Sequence, residues 1–311
     1  MSAAEAGVVG PGRVGLSLAA ALEESGDFGT VWVAGRRPER PAFLRDRDAV
    51  EYGVLDRWVR ELPDRTAGEL VLFFCVPDAS IRETARSWGR GLAEAGILPT
   101  GDGDAPGPEL LAALHTSGSR PASDLSELGE AAGGGGPPLA SMHPLCAVAR
   151  PDAGAFRGVT FGVEGEERAV EVAAAVAESV GRRWLRVSTG EKARYHAGAV
   201  LASNLLVACL ASGLEQVGEA TGGEASVGDL LPLARSALEQ VERHGLADGL
   251  TGPVARGETG TVAAHLEALD PAARSLYAHL TEELLRRTEV EPSVRRAVEE
   301  ILGGASPGAA D

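Results

Sequence analysis

The stretch Ala6-Gly7-Val8-Val9-Gly10-Pro11-Gly12-Arg13-Val14-Gly15 decides the fold. An apolar run leads into three glycines in the order G-x-G-x-x-G, and a helical pattern follows at once over 14–25, with Val14, Leu18 and Leu22 at helical spacing. Strand, glycine turn and helix in that order open a dinucleotide-binding α/β domain. The first glycine permits a sharp turn, the second lets backbone approach a pyrophosphate with no Cβ in the way, and the third lets helix and strand pack closely. Unpaired N–H groups at the helix start then face the pyrophosphate. With 41 glycines in 311 residues, the bare pattern is expected roughly 0.7 times by chance, so the order of the three parts carries the reading.

The next strand, 30–34, ends in Gly35-Arg36-Arg37-Pro38. An NAD-selective site needs an acid about 20 residues beyond the glycines to hold the ribose 2′-hydroxyl. Here that place holds two arginines, and the nearest acid is Glu39. Guanidinium groups grip a 2′-phosphate that a carboxylate would repel. The expected cofactor is therefore NADP, bound by Gly10, Pro11, Gly12, Arg13, Val14 and Gly15, with Arg36 and Arg37 at the phosphate.

Further on, 70–76 (LVLFFCV) reads as a strand covered on both faces and runs into Pro77-Asp78. A strand over 110–114 runs into His115-Thr116-Ser117-Gly118-Ser119, and one over 139–142 into His143-Pro144. Ligands of open parallel sheets collect at the carboxyl ends of strands, which places nicotinamide and substrate near Val76, Ser117 and His143. Residues 101–108 and 133–138 read as solvated, dispensable loops. Strands over 159–163 and 184–187 flank a helix over 169–180 and close a first domain at 1–187. From Ser188 the pattern is helical only: 189–219, opened by Ser188 and Glu191 at capping-box spacing, then 229–244, 259–269, 271–288 and 292–302. The predicted class is α/β, a Rossmann-type doubly wound, mostly parallel sheet followed by an all-helical domain over 188–311.

A hydrophobic content of 44% suffices for two cores. The formal charge of −16 argues against nucleic acid or an anionic membrane as partner. The N-terminus carries no basic n-region, and the longest apolar run, 197–211, is interrupted by Ser203 and Asn204 and is too short for a bilayer. Cys75, Cys146 and Cys209 have neither metal nor disulfide spacing. A soluble chain in a reducing, cytoplasmic compartment is expected, with no metal.

The first helix after the sheet carries the most suggestive chemistry. At about 100° per residue Lys192, His196 and Ser203 share a face, with Asn204 at its margin. Lys192 is the single lysine among 29 basic residues. An ammonium can give up its proton when its pKa falls, whereas a guanidinium cannot. Imidazole titrates near neutrality, so Lys192 and His196 are both candidate proton donors.

Taken together, VVGPGRVG (8–15), HTSGS (115–119), SMHPL (141–145), KARYHAGAVLASN (192–204) and LTGPVARGE (250–258) resemble a family of Rossmann-like oxidoreductases with a C-terminal helical domain of unknown function. Its relatives include pyrroline-5-carboxylate reductase, the β-hydroxyacid and 6-phosphogluconate dehydrogenases, ketopantoate reductase and prephenate dehydrogenase. The resemblance implies an NADP domain, a helical domain that forms a homodimer, and a site in the cleft between them. By position it implies that Val76 and Pro77 line the nicotinamide, and that Thr116 and Ser117 present backbone N–H groups to a substrate carboxylate. Lys192 is similar to the helix lysine of the β-hydroxyacid dehydrogenases. There an asparagine follows four residues later; here that place is His196, and Asn204 comes two turns on. His143-Pro144 resembles the His-Pro of prephenate dehydrogenases without the glycine that follows it there. Arg256 is placed to clamp an acidic substrate between flexible glycines.

The expected activity is NADP-dependent reduction of a small, carboxylate-bearing carbonyl or imine compound, with a 2-oxo acid such as ketopantoate first in order. The alternatives are a non-catalytic NADP-binding regulatory protein and a prephenate or arogenate dehydrogenase-like enzyme.

Overall fold

Apolar runs punctuated by glycine turns build one eight-stranded sheet in a computed structural model that describes residues 4–65, 68–99, 107–249 and 251–305. Its elements are β1 (Glu5–Val9), α1 (Arg13–Ser25), β2 (Thr30–Gly35), β3 (Val50–Val54), α2 (Leu55–Arg65), β4 (Glu69–Phe74), α3 (Ile81–Glu94), β5 (Glu109–His115), α4 (Glu127–Ala132), β6 (Leu139–Pro144), β7 (Thr160–Gly165), α5 (Glu167–Val180) and β8 (Arg183–Arg186). The strand order is β3-β2-β1-β4-β5-β6-β7-β8. The first six strands run parallel in the order of a dinucleotide-binding Rossmann sheet. Strand β7 pairs antiparallel with β6, and β8 parallel with β7.

The sheet is covered on both faces, which is why its central strands read as unbroken apolar runs. Val8, Phe73 and Leu114 pack with α1 and α5 on one face. Leu72, Phe74 and Trp88 pack on the other, where Trp32 stacks on Trp58 at 4.9 Å and on Trp88 at 6.0 Å. Each fully buried side chain of this size contributes about 1.5–3 kcal/mol. The order reverses between β1 and β4, and ligands of open α/β sheets bind outside the carboxyl ends of the strands at such a switch point. Strand β3 and helix α2 were not expected: VEYGV is short and carries a glycine, and Pro63 reads as a helix breaker.

Two further differences concern connections. The four-glycine run is not a free insertion, because Gly133 forms the C-cap of α4 just before β6. Most of the loop expected at 101–108 lies outside the described residues. The helix expected over 189–219 is two, α6 (Lys192–Leu201) and α7 (Asn204–Ala220), because the backbone leaves helical geometry at Ser203 (φ −129°, ψ −81°). The shared helical face expected for Lys192, His196, Ser203 and Asn204 therefore stops at Leu201, and Asn204 heads a new helix. At the expected capping box Glu191 N–H donates to the Ser188 carbonyl in a turn, 3.0 Å, and α6 begins one residue later.

The chain forms two compact units, Met1–Leu201 and Ala202–Asp311, so α6 goes with the sheet instead of the helical domain expected from 188. The second unit contains α7, α8 (Val227–Asp248), α9 (Thr259–Ala268), α10 (Pro271–Arg287) and α11 (Pro292–Ala305). Ser226 and Asp229 form a capping box on α8, and Asp270 caps α10 by accepting from Ala272 N and Ala273 N at 2.8 and 3.1 Å. Val254, Val262, Leu266, Leu285, Val298 and Leu302 form its core among α9, α10 and α11. Helices α7 and α8 bury none of their residues.

Candidate functional site

Strand β1 ends at Val9, and Gly10 turns the chain with φ +109°, a conformation that glycine alone adopts without cost. A Cβ on Gly10 would press on the Cys75 carbonyl at 2.6 Å, and one on Gly15 would overlap the Gly10 carbonyl. Gly12 differs from both. A Cβ there meets nothing nearer than the Cys75 carbonyl at 4.0 Å. Packing does not require a glycine at position 12, so its bareness leaves room for something outside the chain. Helix α1 starts directly behind it with no side-chain cap and no acid in its first turn. The N–H groups of Arg13, Val14 and Gly15 have no acceptor among the described residues. At the end of β2, Arg36 and Arg37 are exposed, and neither guanidinium has a hydrogen bond or ion pair among the described residues. Val76 and Pro77 follow the adjacent strand β4, with Val76 half-buried against the Gly10 turn. A bare glycine cradle, an uncapped helix start and two free guanidiniums fit a dinucleotide with a 2′-phosphate.

The second cluster lies at the ends of β5 and β6, where α6 packs. Lys192 is 3% exposed, and its Nζ donates to the Ser117 carbonyl and to Ser141 Oγ, both at 2.9 Å. Burial drives its pKa down from 10.5 to about 8, against the opposing pull of the Glu164 and Asp78 carboxylates. Its ammonium also lies 5.6 Å from the centre of the Tyr195 ring. Glu164 is buried and accepts from Ala122 N at 2.8 Å and Ser141 Oγ at 3.5 Å. The loop after β5 is fixed by its own polar groups. His115 Nδ1 accepts from Ser117 N at 3.2 Å, which directs its Nε2–H to the Pro121 carbonyl at 3.0 Å. Burial first, and the Lys192 charge after it, hold His115 near pKa 4. Ser119 Oγ donates to Asp78 Oδ2 at 2.6 Å and ties this loop to the one after β4.

His143 stands two residues after Ser141 on β6, hence on the same face. Its Nδ1 lies 3.0 Å from Tyr195 Oη, and its ring meets His196 edge-on at 5.6 Å. Desolvation, then the Lys192 and His196 charges, push His143 down to about 4. Desolvation raises the Tyr195 phenol to about 12, countered in part by the nearby Gly162 backbone.

The structure thus brings Lys192, His196, Ser117 and His143 together on one unit. Thr116 is adjacent, but its N–H donates to the Phe74 carbonyl at 3.3 Å, as the Ser117 N–H does to His115. Those two N–H groups are spent inside the protein, contrary to the expectation that they face a carboxylate. Asn204 and Arg256 belong to the second unit. Asn204 is exposed and accepts from Ser203 Oγ at 3.2 Å, while Arg256 forms a two-pronged ion pair with Glu258 at 2.6 and 3.1 Å. Tyr195, Ser141, Glu164 and Gly118 complete the cluster without having been singled out. The signal for three of them was their place inside the motifs KARYHAG, SMHPL and HTSGS.

Residues 159–284 match the family model of a domain of unknown function, DUF2520. The fold is that of the Bacteroides fragilis protein BF3122, provisionally described as an NADP oxidoreductase. The TM-score is 0.65 at 20% identity, over 92% of this chain and 99% of that one. It is also that of Thermotoga maritima protein TM1727 (TM-score 0.63, 19% identity, 95% and 98% covered). An imine reductase from Streptomyces aurantiacus is similar at TM-score 0.53 and 15% identity, with 99% and 96% covered. No curated protein matches the chain. A Rossmann-like fold that continues into a domain of unknown function agrees with what the motifs imply.

Proposed function

We propose that the chain is an NADP-dependent reductase of a small, carboxylate-bearing carbonyl or imine compound. The observation that carries this reading is the buried ammonium of Lys192, held by Ser117 and Ser141 at the strand edge and titrating near 8. A proton donor works best with a pKa near the operating pH, and burial of this kind brings a lysine towards that range. Bound NADPH supplies the hydride. Lys192 then delivers the proton to the oxygen or nitrogen of the reduced substrate, and the Ser117 carbonyl and Ser141 hydroxyl keep its Nζ in line. The glycine cradle from Gly10 to Gly15 holds the diphosphate, and Arg36 with Arg37 the 2′-phosphate. The imine reductase of like fold supports including imines beside 2-oxo acids. The test is NADPH consumption across 2-oxo acids, ketopantoate first, and cyclic imines. Steady oxidation with one class is the expected result; thermal protection by NADPH with no oxidation by any member favours the regulatory alternative.

We further propose that a second copy of the chain covers α7 and α8. These helices expose Leu205, Leu206, Val207, Leu233 and Leu238 with no residue buried, more apolar surface than a lone soluble domain leaves uncovered. By length and composition Lys192–Ala220, taken as one helix, could cross a membrane. Its break at Ser203 and the burial of Lys192 against the sheet favour a protein partner instead. Sedimentation without detergent should give twice 32.0 kDa; a monomer at micromolar concentration would refute the pairing.

A further inference from the structure

We propose that Tyr195 is a positioning residue: it fixes the tautomer of His143 so that His143 Nε2–H points to the substrate atom that Lys192 protonates. One turn of α6 places Lys192, Tyr195 and His196 at i, i+3 and i+4, and alternate residues of β6 place Ser141 and His143 on one face. The two elements meet pair by pair, Lys192 with Ser141 and Tyr195 with His143.

The direction of the second hydrogen bond follows from counting donors. A phenol has one O–H to give. Residue 162 lies opposite His143 in the β6–β7 register, and its backbone runs close beneath the Tyr195 oxygen. A Cβ on Gly162 would overlap the phenol oxygen, so this approach needs a glycine there. The Tyr195 O–H has one acceptor among the described residues, His143 Nδ1 at 3.0 Å. Nδ1 is therefore the bare nitrogen, and the proton sits on Nε2. Nε2 has no hydrogen-bond partner among the described residues and, unlike His196 Nδ1, is not sealed from solvent. Gly118 keeps it clear, since a Cβ there would lie 2.8 Å from His143 Nε2 and overlap His196 Nδ1.

A neutral imidazole with a fixed Nε2–H is a hydrogen-bond donor that carries no charge. It can polarise a carbonyl or imine without competing with the Lys192 ammonium for protons. No proton leaves His143 in this scheme. It orients the acceptor atom, and Lys192 alone supplies the proton. The role of His143 toward substrate rests on the reductase reading; its tautomer does not.

The test has two arms. Long-range proton–nitrogen correlation spectra of the 15N-labelled full chain at neutral pH, without cofactor, should show His143 with a bare Nδ1 and a protonated Nε2. Tyr195→Phe should replace this with a mixture of tautomers. A protonated Nδ1 in the wild type, or a His143 signal unchanged by Tyr195→Phe, overturns the inference. In the kinetic arm, Tyr195→Phe should lower kcat roughly tenfold with KM little changed, the size that losing an orienting partner costs. His143→Gln, whose amide can stand in for Nε2–H, should keep more activity than His143→Ala. Equal loss in Gln and Ala variants that melt like wild type removes His143 from the substrate. A wild type with no turnover at all refutes the reductase reading and this substrate role together, while the spectra still decide the tautomer.

Discussion

Replacing Lys192 with Met is expected to lower kcat for NADPH-dependent reduction by about 10²–10⁴-fold, the range that a positioned general acid supplies, and to leave thermal stability nearly unchanged. The two halves of this expectation come from the same burial. A drop from 10.5 to about 8 corresponds to on the order of 3 kcal/mol that the native state forgoes by keeping the ammonium charged at neutral pH. Its hydrogen bonds to Ser117 and Ser141 return about 1.5–3 kcal/mol each, so removing charge and bonds together comes close to balance. The sign of the pH dependence is fixed as well. Below about pH 8 folded and unfolded chains both hold the proton. Between about 8 and 10.5 only the unfolded chain does, so wild-type stability rises with pH across that window from this group. Lys192→Met should lack that rise, and wild-type reduction should slow above about pH 8 as the donor loses its proton. A variant that melts far below wild type yet keeps its turnover would make Lys192 a structural residue.

Gly12→Asp is expected to abolish cofactor binding without harming the fold, and Gly15→Ala to do the reverse in order of cause. At position 12 a side chain meets open space, and the backbone (φ −80°, ψ −175°) suits any residue. An aspartate at this N-cap would satisfy a free N–H group of α1 and add a few tenths of a kcal/mol of stability. It would also put a carboxylate where the diphosphate belongs, and a 100-fold or greater loss of NADPH affinity follows, about 2.7 kcal/mol. At position 15 the added methyl overlaps the Gly10 carbonyl and forces α1 away from the turn, which costs about 1–3 kcal/mol of stability before any effect on ligand. Thermal melts and fluorescence titration of both variants separate the two mechanisms. Unchanged NADPH affinity in Gly12→Asp would move the cofactor elsewhere.

How much of this was legible in the sequence depends on how local each feature is. The opening strand, turn and helix could be read because Gly10, Gly12 and Gly15 act on neighbours within a few residues. Strands β4, β5 and β6 could be read because burial on both faces leaves continuous apolar runs. Strand β3 and helix α2 could not, since a glycine in one and Pro63 in the other contradict their structure locally. The break between α6 and α7 has no glycine or proline to announce it, and it undid the angular argument for Asn204. In the site, Lys192 drew attention as the single lysine, and His143 and Ser117 as polar residues at strand ends. Tyr195, Ser141 and Glu164 stayed hidden because their roles depend on pairings across the sheet edge. Lys192 meets Ser117 and Ser141 at separations of 75 and 51 residues, and Tyr195 meets His143 at 52.

Calorimetric titration of NADPH and NADH into the purified wild-type chain tests the central claim most directly. Saturable binding of NADPH, tighter than that of NADH, is the predicted result. A folded chain that takes up neither nucleotide would contradict the cradle at Gly10 to Gly15, and the reductase with it.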